Sequence, residues 1–379
     1  MLRRRRGLLE GGQDEALLVA SVPAALAPLL AWQHLPEAQL QASRALADLC
    51  TSSPVHCRAV REAGAVTMLL QLMGPAEAVL EGLAAGQALG EQRALTLCSA
   101  GRALHYLQRE EEGSQLQLLP CPAALHHLLS SLPALLASGC SAQLLAALWA
   151  LNLLCQGREG WQLGLLEAGC LPSLLARLSH SSKEVLEAAL CAVCQLLDGG
   201  EATVQRVLQG GRLLQHLSAV LYPDTRRVQA REICRAVRKL CQGQAQVVLG
   251  TQCLSKVAHH AEQGPPDVVL QATWALAHAA SSASQQEVGS MVSTRGLAAM
   301  CSELGRGEWG DWSTQLAALG FLQAVLEKSP QKELHWEMVK EAGGASASQR
   351  LKAHGRREVR EAAQAFMQAN FAQWEVGGG

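Results

Sequence analysis

Aromatic side chains are scarce in this chain of 379 residues: Phe, Tyr and Trp make up 3% of it, against 49% for apolar residues as a whole. A core of that composition must be built from Leu, Ala and Val. Such a core suits close helix packing and argues against a β-sandwich, which draws on aromatic and β-branched residues. Net charge is almost absent as well, with a formal value of -1. That balance argues against a dedicated nucleic-acid binder, so no nucleic acid is expected among the partners. Motifs of enzyme chemistry are missing too: there is no phosphate-cradling glycine loop, no nucleophile elbow and no carboxylate pair in an apolar frame. No catalytic residue, cofactor or metal is expected.

Thirteen cysteines are present, but they lie scattered through apolar stretches instead of clustering in loops. Cys191 and Cys194 form the one CxxC, in "EAALCAVCQLLDGG", with no second pair at zinc-ligand spacing. Redox or metal chemistry is one reading, and small buried residues of a reducing compartment is the other. The adjacent pairs His126–His127 and His259–His260 look like metal ligands on paper, yet neighbours on a helix point about 100° apart.

A long uninterrupted apolar run is also lacking. "MLRRRR" followed by "ALLVASVPAALAPLLAW" resembles a signal or a membrane span, but Glu10, Asp14 and Glu15 intervene and Pro23 and Pro28 break the run. No membrane role is expected. The arginines at 3–6 read as a short localisation patch or as a solvated terminus.

What the chain does have is an internal repeat. "REAGAVTMLLQLM", "LEAGCLPSLLARL", "LQGGRLLQHLSAVL" and "STRGLAAMCSEL" each join a glycine-containing turn to an apolar helix. Gly169 and Gly211 are 42 residues apart and Gly211 and Gly296 are 85 apart; Gly64 precedes Gly169 by 105, two periods plus an insertion near "GPAEAVLEGLAAGQALGEQ". A second, Ala-rich helix follows each: "LQASRALADLC", "CSAGRALHYLQ", "LLAALWALNLLCQG", "LEAALCAVCQLLDGG", "QAREICRAVRKLCQG" and "LQATWALAHAASS". A period near 42 with two or three helices per unit predicts an all-α armadillo-repeat solenoid, a right-handed α-α superhelix. The expected layout is a short basic N-terminus over 1–15, repeats over 16–344, a capping helix segment over 345–376 and a tail over 377–379.

The C-terminal stretch "MVKEAGGASASQRLKAHGRREVREAAQAFMQANF" resembles the closing segment of the importin-α (karyopherin-α) family. Glu341, Gly343, Gly344, Leu351, His354 and Phe371 carry that likeness, which extends over about residues 16–374. In that family the third helix of a repeat carries Trp and, four residues on, Asn. These line a concave groove where the indole packs on a cargo lysine and the amide holds the peptide backbone. The resemblance implies an adaptor for cargo proteins with basic nuclear localisation peptides, working in cytoplasm and nucleus. An armadillo scaffold that has lost signal binding is the alternative, and a fragmentary relative is a third.

Placed on each third helix, the pair reads Arg44/Asp48, Arg102/Tyr106, Trp149/Leu153, Cys191/Gln195, Arg235/Lys239 and Trp274/His278. The groove residues the resemblance implies are therefore Trp274, His278, Trp149, Gln195, Asp48 and Tyr106. Asn152 falls one place out of register. Trp149 and Trp274 each have a plainer reading as core or ridge residues. Arginines and Lys239 in the ladder would repel basic cargo. No importin-β-recruiting arm is recognisable, so this chain alone is expected not to capture importin-β. "GEWGDWST" reads as an inter-repeat loop exposing Trp309 and Trp312, either as a partner anchor or packed under the last repeat. "QREEEG" at 108–113 reads as a solvated acidic loop or a partner patch.

Overall fold

A computed structural model describes residues 20–74, 76–85, 89–109, 133, 136, 140–155, 161–209, 212–293, 295–306 and 311–371. The segments at 1–15 and 377–379, the arginines at 3–6, Glu10, Asp14, Glu15, the acidic run at 110–113, His126, His127, Gly211 and Trp309 lie outside the described residues. All regular structure among the described residues is helical, and the chain divides into two compact units, Met1–Gly199 and Gly200–Gly379.

In the first unit a short helical segment at Ala20–Ala31 precedes α1 (Pro36–Ser52), α2 (Pro54–Glu62), α3 (Ala65–Met73), α4 (Ala76–Ala84) and α5 (Glu91–Arg109). They are followed by α6 (Ser141–Cys155), α7 (Trp161–Glu167), α8 (Cys170–Arg177) and α9 (Lys183–Leu197). Helices α1, α5, α6 and α9 stack in sequence as a ladder, each packed on the next. The insertion expected near residue 80 is α4, which packs against α6.

The second unit begins with α10 (Glu201–Gln209), α11 (Leu213–Val220), α12 (Arg227–Leu249), α13 (Cys253–Gln263) and α14 (Pro266–Ser282). It continues through α15 (Gln285–Ser293), α16 (Gly296–Gly305), α17 (Trp312–Lys328), α18 (Lys332–Glu341), α19 (Gly344–Leu351) and α20 (Arg357–Phe371). Here α12, α14, α17 and α20 form the ladder, while α13, α16 and α19 stack as a second layer. The expected armadillo grammar is thus present in both units. Within the segment foreseen as a cap, α19 and α20 take the second-layer and ladder places of a last repeat. A non-helical residue, Gln244, breaks α12 where one repeat gives way to the next.

Local chemistry sets the helix ends. Ser53, Ser182 and Asp311 accept backbone N–H bonds as N-caps, and Pro36, Pro54 and Pro266 begin helices whose first N–H has no intrahelical acceptor. The turn into each second helix needs a left-handed residue. Gly64, Gly169 and Gly343 supply it at φ 71°, 77° and 77°, whereas Arg212 and Arg295 adopt φ 87° and 66°. The glycine beside Arg295 does a different job: a Cβ on Gly296 would lie 3.0 Å from Met291 O and 3.1 Å from Phe321 Cζ. Gly343 and Gly344 divide the same two tasks, since a Cβ on Gly344 would meet Cys301 Sγ at 2.6 Å. That pair, with buried Leu351, accounts physically for the motif seen in the C-terminal sequence.

The core is Leu, Ala, Val and Cys, as the composition demands. Cys191 and Cys194 are fully buried, and no disulfide joins the described cysteines. No single described helix is long and apolar enough to cross a bilayer. The presumed loop around Trp312 needs correction: Asp311 caps a helix there, and Trp312 is its first residue, 39% exposed beneath the guanidinium of Arg356 at 5.1 Å. The alternation of small and large residues in "STQLAALGFLQAVLEK" marks a further ladder helix.

Candidate functional site

In the first unit the ladder positions form a closed polar cluster. Arg102 on α5 donates from Nε to Glu187 Oε1 at 2.7 Å and from Nη2 to Oε2 at 3.3 Å. Its Nη1 reaches Asp48 Oδ1 on α1 at 2.8 Å, and the Tyr106 hydroxyl donates to Glu187 Oε1 at 3.2 Å. Burial works against the Arg102 charge, but the Glu187 carboxylate, its hydrogen bonds and Asp48 outweigh that and hold the pKa above the usual arginine value. Asp48 is largely exposed, so the stronger half of the cluster is the partly buried Arg102–Glu187 pair.

This pair joins α5 to α9 across the intervening α6, which carries Trp149. The Trp149 indole is 2% exposed and packs against His105 and Tyr106, with ring centroids 5.5 and 6.4 Å away. In this arrangement the indole is almost wholly covered. Tyr106 and Gln195 are buried as well, and Asp48 alone of the first unit's four implied groove residues is open to solvent. Asn152 is fully buried and donates to Leu148 O at 2.9 Å and to Ala188 O at 3.0 Å, tying α6 to α9.

The second unit keeps an open rung. Trp274 and His278 on α14 are both half-buried, with ring centroids 5.4 Å apart and planes inclined at 31°. Trp274 Nε1 donates to Ser313 Oγ of α17 at 3.0 Å, which fixes the indole edge. Gln242 Nε2 lies 3.1 Å from His278 Nε2, and Gln246 donates to Ser282 O at 2.8 Å, so α12 and α14 are laced by side-chain amides. Burial, then Arg238 and Lys239, pull the His278 pKa down, favouring the neutral ring. Arg238 itself stands over the indole, 5.5 Å from its centroid, and donates from Nη1 to Gln271 Oε1 at 3.2 Å.

The like-charge problem foreseen for ladder arginines is partly met by internal carboxylates. Besides the Arg102 pairs, fully buried Glu232 lies 3.2 Å from Arg231 and 3.8 Å from Arg235. Glu187 was legible in principle, since it stands four residues before Cys191 on the same helical face. Arg238 had no such signal, because it sits one residue short of the ladder position at Lys239. His260 Nε2 donates to Tyr222 O at 3.0 Å, and no metal-binding group of three or more ligands occurs among the described residues.

Comparison with known proteins agrees with this geometry. A designed armadillo repeat protein in complex with the peptide (KR)4 superposes on 64% of this chain and 99% of its own, with a TM-score of 0.56 and 22% identity. An engineered protein covers 96% of this chain and 94% of its own, with a TM-score of 0.62 and 18% identity. The fold is an importin-α-like armadillo fold. In sequence, the chain is 29% identical over 217 residues to importin subunit alpha-1b of Oryza sativa subsp. japonica, a match over 52% of this chain. The chain spans 40% of that relative's length. No family model matches it. The armadillo-repeat architecture is that of a general protein- or peptide-interaction scaffold.

Proposed function

We propose that this chain is an adaptor that holds an extended segment of a partner protein along a concave ladder face, with the Trp274–His278 rung as its main contact. The observation that carries this reading is the half-exposed indole beside the His278 imidazole, flanked by the amides of Gln242 and Gln271. An indole face, an imidazole and carboxamides together suit a peptide: apolar or charged stems lie on the ring, and amides answer the backbone.

In its finer form the held segment is a basic nuclear localisation peptide of a cargo protein, carried between cytoplasm and nucleus. The rice importin subunit and the (KR)4-bound design support that form. A scaffold for other partners is the second form, favoured by Arg238, which already lies on the ring where a cargo lysine would stack.

Titration of a fluorescent Lys-rich localisation peptide against the purified chain tests the finer form. Micromolar binding that is lost in Trp274→Ala supports it, and no binding at high concentration overturns it. The second form predicts that the same chain still retains a protein partner through Trp274.

A further inference from the structure

The turn between α19 and α20 carries charge of one sign. "RLKAHGRR", residues 350–357, holds Arg350, Lys352, His354, Arg356 and Arg357 and no carboxylate. Internal bonds fix its shape. Arg360 Nη1 donates to His354 O at 2.8 Å and to Gly355 O at 2.9 Å, and Arg356 N donates to His354 Nδ1 at 3.0 Å. Buried Leu351 anchors the end of α19, and Arg350, Arg356 and Arg357 stand exposed on this frame.

Local stability does not call for all of these cations. Arg350 lies in the last turn of α19, where the helix dipole favours positive charge. Arg356 and Arg357 stand at the start of α20, the kind of end where positive charge is disfavoured. Glu361 offsets Arg357 at 2.6 Å, but among the described residues no carboxylate forms an ion pair with Arg350, Lys352 or Arg356.

Arg356 lies instead over the indole of Trp312, 5.1 Å from the ring centroid, and that indole is 39% exposed. A guanidinium stacked on a ring keeps its planar fork of N–H donors in a fixed plane, the geometry that a carboxylate accepts in pairs. Asp311, beside Trp312 in the chain, is committed to its cap: Oδ2 accepts from Thr314 N at 2.8 Å and from Thr314 Oγ1 at 2.9 Å.

We propose that this turn, with the Trp312 indole beside it, is a second docking surface, and that its occupant is an acidic segment of a partner protein. Charge complementarity sets the sign of that segment, and the half-open indole gives it an apolar platform to cover. A nucleic acid would match the sign, but a chain of net charge -1 lacks the broad positive field that a phosphate backbone draws on. Arg356 takes the carboxylates and Trp312 positions its fork. The proposal does not depend on the reading of the Trp274 rung.

The experiment titrates the full chain at low salt with a labelled (DE)4 peptide and, separately, with a labelled short single-stranded RNA, both followed by anisotropy. The peptide is expected to bind more tightly than the RNA, and less tightly as salt is raised. Arg356→Gln should lower its affinity about tenfold, and Arg356→Lys, which keeps the charge but loses the fork, should recover part of that loss. Arg206→Gln removes an exposed cation from α10 and should change the affinity less than about twofold, as should Trp274→Ala. Circular dichroism of each variant checks that the helices persist. No binding of (DE)4, tighter binding of the RNA, or equal losses in Arg356→Gln and Arg206→Gln overturns the proposal and leaves the peptide-holding rung untouched. A loss in Trp274→Ala as large as in Arg356→Gln overturns it too, because the peptide then sits on the rung.

Discussion

Arg102 and Glu187 meet across the helix that separates them, with Nε and Oε1 2.7 Å apart, and that helix carries a tryptophan that is 2% exposed. Removing one partner of a partly buried pair leaves the other charge without its main counter-ion. Glu187→Gln is therefore expected to cost about 1–3 kcal/mol in urea unfolding. Replacing both, as Arg102→Met with Glu187→Leu, should restore stability to within about 1 kcal/mol of the wild type, since no charge is then stranded. If the double variant is no better than the single one, the pair does not act as a unit.

Gly101 tests how closely α5 and α6 must approach. Alanine improves helix propensity by about 1 kcal/mol. However, a Cβ at this position would lie 2.8 Å from Trp149 Cβ, a rigid stem that cannot swing away. Overpacking of that kind costs about 1–3 kcal/mol and offsets or exceeds the propensity gain. Gly101→Ala should lower the thermal midpoint and red-shift the emission of Trp149 as the helices part. A higher midpoint would show that the two helices yield easily.

Arg295 offers the opposite case. At φ 66° it sits in a region that costs a side chain about 1–2 kcal/mol. Its contact with Glu262 is long, at 3.7 Å, and largely solvated, so little is lost with it. Glycine carries an entropic cost of about 0.5–1 kcal/mol in its place. Arg295→Gly should therefore stabilise the second unit by about 0.5–1 kcal/mol, read as a raised denaturant midpoint with an unchanged slope.

The repeat was legible because its period is written in backbone demands: a left-handed turn, then an apolar helix. It stayed legible even at Arg295, where the neighbouring Gly296 keeps the packing role after the turn role has passed to arginine. The six ladder helices were readable from their Ala-rich spacing. The ladder helix α17 was not, because Trp309 and Trp312 read as part of a loop, although Asp311 caps the helix that Trp312 begins. Side-chain exposure was legible least. Trp149 and Trp274 occupy the same register, yet one is sealed against a tyrosine that the Glu187 carboxylate holds and the other lies half open beside an arginine. Those neighbours are 38 and 36 residues from the tryptophans they accompany, taking Glu187 with Trp149 and Arg238 with Trp274. Helical spacing within one segment cannot see them.

His278 reports directly on the charge around the open rung. Its folded pKa lies below the ordinary imidazole value of about 6.5, through burial first and then Arg238 and Lys239. As pH falls through about 6.5, the unfolded chain takes up a proton that folded His278 resists, so stability declines until the folded pKa is reached. Above that window the contribution of this residue is flat. Arg238→Ala removes one of the two cationic neighbours and should raise the His278 pKa, although burial continues to hold it down. An NMR titration of the imidazole in the wild type and in this variant checks the sign. An unchanged pKa would mean that Arg238 does not shape the field at the rung.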